Sequence, residues 1–362
     1  MTKKVRIGQV EIGGGNAIAI QSMTNVDPHD EKALLRQINE LTDCGCDIVR
    51  LTVPDSEACE VFGRVKEKLT KAGNMVPLVA DIHFDYRMAI GAIEAGADKI
   101  RINPGNIGSI DRVKAVVEKA KERDIPIRVG VNSGSLEAAL LAKYGGVSAE
   151  GLCESALNNL EIIEGLGYDN LVCSIKSSSV KMNYEAHKLL SEKTEHPLHI
   201  GITEAGTLKR GQVKSAIGIG ALLLNGIGDT LRVSLTADPV QEVLYAKEIL
   251  RSLGLKKSAI DLVSCPTCGR TKIDLVSLAE TVEKRLEPIE NRLLLMGRDS
   301  LKIAVMGCAV NGPGEAKEAD YGIAGGDGRG LIFKRGEILK TVDENELVDE
   351  LIRIITGDIF NA

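Results

Sequence analysis

Short β-rich apolar runs alternate with longer stretches of helical periodicity through the first two-thirds of the chain. Runs at 17–25 (AIAIQSMTN), 47–53 (DIVRLTV), 77–83 (PLVADIH), 99–105 (KIRINPG), 126–132 (PIRVGVN), 171–177 (LVCSIKS), 198–205 (LHIGITEA) and 229–236 (DTLRVSLT) predict eight strands. Helical patterns such as 31–44, 57–72, 87–95, 110–123 and 148–166 lie between them. Several end at a glycine just before the next strand: Gly45, Gly73, Gly96 and Gly167. Parallel strands need crossover helices, and eight such units in about 250 residues predict an α/β fold of the TIM (β/α)8 type. The competing architecture is an open doubly wound sheet. No G-x-G-x-x-G follows the first strand, so a dinucleotide-binding form of it has little support.

Beyond residue 256 the pattern changes. Two cysteines arrive in 264–270 (SCPTCGR), then a helical stretch to about residue 286 and an apolar strand at 301–306 (LKIAVM). A loop at 307–315 (GCAVNGPGE), a Gly-rich hairpin at 321–334 and a closing helix around 344–355 complete the chain. We therefore expect a barrel domain at 1–256 and a smaller α+β domain at 257–362. The GGDGRG stretch at 325–330 reads as a hairpin turn rather than a phosphate cradle.

Composition narrows the function classes. A net charge of −6 and 3% aromatics, with no Trp, argue against a protein-wide nucleic-acid footprint and an aromatic stacking platform. No apolar stretch reaches the ~18 residues of a membrane span. The start MTKKVRIG has charges but no following apolar run, so it does not read as a secretory signal. The expected location is the cytoplasm, where the eight cysteines are thiols or metal ligands rather than disulfides.

The strand ends carry the chemistry. They place Arg50, Asp81 with His83, Arg101 with Asn103, Arg128 with Asn132, Ser174 with Lys176, Glu204, and Arg232 with Ser234 where a barrel keeps its active site. The pairs are two or four residues apart, so each shares one strand face. Five cationic side chains in one barrel mouth exceed what Asp81 and Glu204 can neutralise, and buried charge must be paired. The implied ligand is a small polyanion, most simply one with two phosphates, held by Arg forks and a Lys point charge. His83, beside Asp81 on the same face, is a candidate for proton transfer or phosphate contact.

Three readings of the pair Cys265 and Cys268 compete. A thioredoxin-like redox pair normally opens a helix after a first strand, not after eight α/β units. A zinc site needs four ligands. Cys308 supplies a third, but no His or Cys follows it. An iron–sulfur cluster is normally held by four thiolates. Three cysteines with Glu315, in the Gly-Pro-Gly loop seven residues after Cys308, would leave one distinctive iron whose carboxylate a substrate oxygen can displace. Cys44, Cys46, Cys59, Cys153 and Cys173 read as structural thiols.

Taken together, QSMTN at 21–25, ADIH at 80–83, KIRINPGN at 99–106, RVGVNSG at 128–134, SIKSS at 174–178, GITEAG at 201–206, RVSLT at 232–236, SCPTCGR at 264–270 and MGCAVNGPGE at 306–315 carry a resemblance over essentially the whole chain. The chain resembles the bacterial two-domain 4-hydroxy-3-methylbut-2-enyl diphosphate synthases, iron–sulfur oxidoreductases of the methylerythritol phosphate route to isoprenoids (terpenoids). The resemblance implies a barrel that binds 2-C-methyl-D-erythritol 2,4-cyclodiphosphate. It also implies a C-terminal domain, similar to a sulfite-reductase module, with a 4Fe-4S cluster on Cys265, Cys268, Cys308 and Glu315. Arg50, Arg101, Asn103, Arg128, Asn132, Ser174, Lys176, Arg232 and Ser234 would bind the diphosphate. Asp81, His83 and Glu204 would lie near the reacting carbons, and Glu315 would join the catalysis at the cluster. Flavodoxin or ferredoxin would supply electrons.

Assembly is part of the same expectation. The last barrel helix should end opposite the mouth, so the linker to the cluster domain starts on the wrong face of its own barrel. A homodimer in which the cluster domain of one chain caps the barrel of the other resolves this. Two other functions compete: a metal-free barrel enzyme on another phosphorylated substrate, such as a pterin-condensing synthase, and a cluster-sensing regulator that binds RNA.

Overall fold

The computed structural model describes residues 1–360 except 272, 297–299, 309–313, 315 and 327. Two compact units divide the chain at Met1–Lys256 and Lys257–Ala362. In the first, strands β1 (Val5–Ile7) and β2 (Val10–Ile12) form an antiparallel hairpin. Eight strands follow: β3 (Ala19–Met23), β4 (Ile48–Thr52), β5 (Leu78–Asp81), β6 (Lys99–Ile102), β7 (Ile127–Asn132), β8 (Leu171–Lys176), β9 (His199–Ile200) and β10 (Thr230–Leu231). All their pairings are parallel, in the order β8-β7-β6-β5-β4-β3-β10-β9. A parallel bridge between Cys173 and Leu198 joins the two ends of that order, so the sheet closes into a barrel. Closure overturns the open-sheet alternative.

The helices form for local reasons. In α1 (Glu31–Asp43), Leu34, Gln37, Ile38 and Leu41 recur at helical spacing and are buried, and Asp30 caps the first turn by accepting the Ala33 N–H at 3.0 Å. Asp55 caps α2 (Ser56–Lys71) in the same way through Ala58, at 2.9 Å. Both helices stop at a glycine in the left-handed region, Gly45 (φ +91°) and Gly73 (φ +82°), where a Cβ is disfavoured. The outward side chains of the strands, such as Leu51, Ile100, Ile102 and Val129, pack on these helices in one continuous core. Strands such as β6 are buried along their whole length, as parallel strands covered by helices must be.

The N-terminal hairpin was not foreseen from the sequence, because two three-residue strands give no measurable alternation. Its Val5, Ile7 and Ile12 pack against Ala19, Ile48, Val79 and Val172, near the starts of β3, β4, β5 and β8. It thus plugs the barrel end opposite the strand C-termini. Among the described residues no helix is long and apolar enough to cross a membrane.

The second unit holds a five-stranded mixed sheet in the order β11 (Ile260–Ser264), β12 (Leu301–Met306), β13 (Tyr321–Ala324), β14 (Arg329–Lys334) and β15 (Glu337–Asp343). The first three strands are parallel and the last two antiparallel to their neighbours. Helix α11 (Leu275–Leu295) and the closing helix Leu347–Phe360 bury Val282, Leu286, Leu351 and Ile355 against it. Strands β13 and β14, which flank the Gly-rich stretch, pair antiparallel as expected of a hairpin, and Asp327 within the stretch lies outside the described residues.

Ile7 is fully buried in the plug. Ile7→Ala should cost about 2–5 kcal/mol, the range for a large-to-small change in a packed core. Denaturant unfolding followed by circular dichroism will measure it; a loss below ~1 kcal/mol would mean the hairpin does not seal the barrel.

Candidate active site

Period-two alternation aims one set of side chains from each strand into the barrel. At the C-terminal ends these side chains enclose a cleft of about 420 Å³. It is lined by Arg50, Asp81, His83, Arg101, Arg128, Asn132, Ser174, Lys176, Glu204, Arg232 and Ser234, with the Ser133–Ser135 turn and Thr203. Asn103 alone among the expected barrel residues does not line it. Its side chain turns back to accept the Gly105 N–H at 3.1 Å, capping the short helix Pro104–Ile107.

Asp81 is the hub. Its carboxylate meets Arg101 Nη1 at 3.3 Å, Arg50 Nε at 3.7 Å and His83 Nε2 at 3.9 Å. Burial alone would raise the Asp81 pKa; Arg50, Arg101 and Arg128 outweigh it and hold the carboxyl below the usual carboxylate range. Asp81 therefore stays ionised and acts as a counter-ion, not as an acid. Arg128 is fully buried, and among the described residues its Nε and Nη1 have no hydrogen-bond partner. Burial first, then crowding by Arg50 and Arg101, works against its charged form. Burial, with Arg232 and Arg101, pulls Arg50 down to about 10, and burial, with Arg50 and Arg128, lowers Lys176.

Two features were not read from the sequence. Glu242, on helix α10 (Pro239–Ser252), is 3% exposed and is the counter-ion of Arg232, with contacts of 3.1 and 3.3 Å. It also accepts from Ser22 Oγ at 3.1 Å and the Leu235 N–H at 2.9 Å, fixing the loop after β10. A carboxylate on the apolar stripe with Val243 and Ala246 was the available signal, since such a group demands a partner. Met23 Sδ accepts from Arg50 at 2.9 and 3.2 Å and from Arg232 at 3.4 Å. A thioether is a weak acceptor, so these guanidinium groups are poorly satisfied by the protein itself. Five cations now face three carboxylates, Asp81, Glu204 and Glu242, a formal excess of two positive charges.

Glu204 and His83 sit at the exposed rim. Glu204 has φ +50°, a backbone region that non-glycine residues rarely adopt. Gly130 explains how the guanidinium groups pack: a Cβ there would lie 2.6 Å from Arg101 Nε.

In the second unit, Cys265 and Cys308 follow the ends of adjacent parallel strands, with Ser264 in register with Val305. The Gly307 N–H donates to Cys265 Sγ at 3.2 Å. Cys268 is exposed, and hydrogen bonds from the Arg270 backbone and side chain lower its pKa. A lowered pKa at Cys268 favours thiolate, the form that binds metal, and three cysteines in one unit fit a thiolate-held metal group. Among the described residues no three His, Cys, Asp or Glu side chains are gathered closely enough to hold an ion. Glu315 lies outside the described residues. The remaining five cysteines are in the barrel unit, where burial raises Cys46 and Cys173 to about 12.

Fold and cleft define a (β/α)8-barrel enzyme with a cysteine-bearing second domain. Residues 2–247 match the GcpE TIM-barrel domain and residues 261–357 the GcpE protein C-terminal domain. The chain belongs to the GcpE family. It is 56% identical over 355 residues to a 4-hydroxy-3-methylbut-2-en-1-yl diphosphate synthase (flavodoxin) of Caldanaerobacter subterraneus, covering 98% of this chain and 96% of the relative. The Clostridium acetobutylicum protein of the same name is 54% identical over 354 residues, with 98% of each chain covered. Among solved structures, type I 3-dehydroquinate dehydratase from Clostridium difficile superposes with a TM-score of 0.52 at 14% identity, over 70% of this chain and 98% of that one. Dihydropteroate synthase from Xanthomonas albilineans gives 0.50 at 16%, over 69% and 98%. At these identities the two likenesses show the barrel fold alone.

Gly130→Ala should displace the Arg101 guanidinium and weaken anion binding about tenfold or more, the cost of ~1.4 kcal/mol at one charge-assisted contact. Equilibrium binding of the cyclic diphosphate will measure it. Unchanged affinity would show that Arg101 has room to move without loss.

Proposed function

We propose that the chain catalyses the reductive ring opening and dehydroxylation of 2-C-methyl-D-erythritol 2,4-cyclodiphosphate to 4-hydroxy-3-methylbut-2-enyl diphosphate, in isoprenoid biosynthesis in the cytoplasm. Two electrons and a proton convert the dianionic cyclic diphosphate into the linear trianion and water. The observation that carries this reading is the excess of positive charge in the cleft of a chain more than half identical, end to end, to named synthases. The cleft residues support it. Ionised Asp81 fixes Arg50 and Arg101, Glu242 fixes Arg232, and Arg128 keeps unpaired donors for phosphoryl oxygens. Asn132, Ser174, Lys176 and Ser234 add further polar contacts on the walls. We assign Glu204, with His83 across the rim, to deliver a proton to the leaving oxygen.

A 4Fe-4S cluster on Cys265, Cys268, Cys308 and Glu315 would supply electrons one at a time, drawn from flavodoxin or ferredoxin. The lowered pKa of Cys268 and the Gly307 N–H that donates to Cys265 Sγ support that ligand set. The pterin-condensing alternative has only fold likeness behind it.

The chain path supports a reading of the assembly. Leu255, just past α10, lines a groove with Met1, Thr2 and Asp229, on the barrel face away from the cleft. The connection 253–259 reaches at most about 25 Å when fully extended. A homodimer, each cluster domain capping the barrel of its partner, brings the two halves of the chemistry together.

Anaerobically purified protein should show iron–sulfur absorption and turn over the cyclic diphosphate with reduced flavodoxin. Cys265→Ser, Cys268→Ser and Cys308→Ser should each lose iron and activity, whereas Cys173→Ser should keep both. Equal iron in Cys308→Ser and the parent removes Cys308 from the ligand set, and a colourless parent protein removes the cluster.

Co-expression of Lys176→Ala with Cys268→Ser tests the shared site. Hybrid dimers hold one site with an intact barrel and an intact cluster, so activity should rise well above either variant alone. Hybrids with stable iron that are as inactive as the single variants rule the shared arrangement out.

A further inference from the structure

Beneath the cleft, the barrel interior carries a second storey of polar side chains that the proposed chemistry does not use. Lys99 opens β6 two residues before Arg101, so both point inward. It is fully buried, and its Nζ donates to Gln21 Oε1 at 3.3 Å. Among the described residues no carboxylate lies within 4.0 Å of it. The charged and titratable groups that face it come from three other strands: Arg50 on β4, Arg128 on β7 and His199 on β9. His199 is fully buried too, its Nδ1 paired with Thr230 Oγ1 at 2.8 Å and its Nε2 without a partner.

Among the described residues, the charged groups that act on Lys99 are therefore all cationic. A buried ammonium without a counter-ion is unstable. An arginine cannot shed its proton under these conditions, whereas a lysine can. Arg50 and Arg128 keep their charge, and the crowding weighs against the ammonium form of Lys99. Burial, then repulsion from Arg128 and Arg50, holds its pKa well below the ordinary lysine value.

Filling the cleft with a dianion changes that balance. The anion sits one storey above, about 7 Å along the strand. It pairs the guanidinium groups whose repulsion weighed against the Lys99 ammonium. We propose that Lys99 takes up a proton when the diphosphate binds, so that the barrel answers the ligand's charge from below as well as by direct contact. The proposal rests on the diphosphate reading of the cleft and extends it to a side chain that never touches the ligand.

The sign of the linkage follows. Ligand raises the Lys99 pKa, so binding tightens as pH falls through the interval between the free and the bound values. Below that interval Lys99 is protonated in both states and contributes no pH dependence. Lys176, partly buried in the cleft wall, is open to the same effect, so the Lys99 share is read as a difference between proteins that both retain Lys176.

The experiment is calorimetric titration of the oxidised holoenzyme with the cyclic diphosphate, without reductant, in buffers of different ionisation enthalpy. The ligand is a diphosphate diester, fully ionised near neutrality, so it contributes no protons of its own. The parent should take up about half to one proton more per site than Lys99→Met, and its affinity should strengthen more steeply as pH falls. Thermal unfolding checks that Lys99→Met is folded; Lys99→Gln, which keeps a polar contact to Gln21 without a titratable group, takes its place if it is not. Equal proton uptake by parent and folded variant, with binding intact, overturns the proposal alone. Failure of the parent to bind the cyclic diphosphate overturns the diphosphate reading and the proposal with it.

Discussion

Like charge crowded inside a closed barrel is the constraint on which the rest of this structure depends. A parallel barrel directs alternate residues of every strand towards one axis, so cations spread over 180 residues of sequence, from Arg50 to Arg232, converge on one cleft. Left alone they would repel. Asp81 holds two of them, Glu242 holds a third from a helix behind the sheet, and Met23 offers a soft acceptor where no better one is present. Arg128 remains unsatisfied. A buried cluster of like charge is stable only with counter-charge in place.

Much of this was legible in the sequence because barrel geometry turns spacing into location. Residues two or four apart in a short apolar run, such as Arg128 and Asn132, must share a face, and the end of a parallel strand is where a site forms. The chain's other features lacked such a signal. Glu242 acts from a helix, so no strand spacing announces it. Lys99 stands at the start of its strand, where it reads as a flanking solvent charge, and only the closed barrel shows that it has no water. Asn103 has the right spacing from Arg101, but an asparagine just before a proline-initiated helix caps that helix instead. Strand β15 (EILKTVD) buries only Val342 and leaves its adjacent Ile338 and Leu339 exposed, so its apolar residues show no period-two alternation. The motif resemblance named the substrate, which residue chemistry cannot do.

The second unit repeats the logic of the first at smaller scale. Two parallel strands, β11 and β12, carry Cys265 and Cys308 just past their ends, whereas β4, β6 and β7 carry Arg50, Arg101 and Arg128 within them. In both units the parallel sheet supplies the rigid register that brings these side chains close. Small residues close to each site let the chain pack tightly: Gly130 under Arg101, and Gly307 with its N–H on Cys265 Sγ.

Barrel closure also has a cost in time. Strand β3 pairs on one side with β4, but its other neighbour is β10, through Ala19 with Thr230 and Ile20 with Leu231. At the usual pace of synthesis, about 5–20 residues per second, the partner of that edge leaves the ribosome some tens of seconds later. During that interval the nascent sheet presents an open edge, and the strands that carry Arg50, Arg101 and Arg128 wait for the pair of Arg232 and Glu242 that completes the cleft. The separation in sequence between the two strands that must meet, more than the stability of the finished barrel, sets how long the growing chain needs shelter from wrong partners.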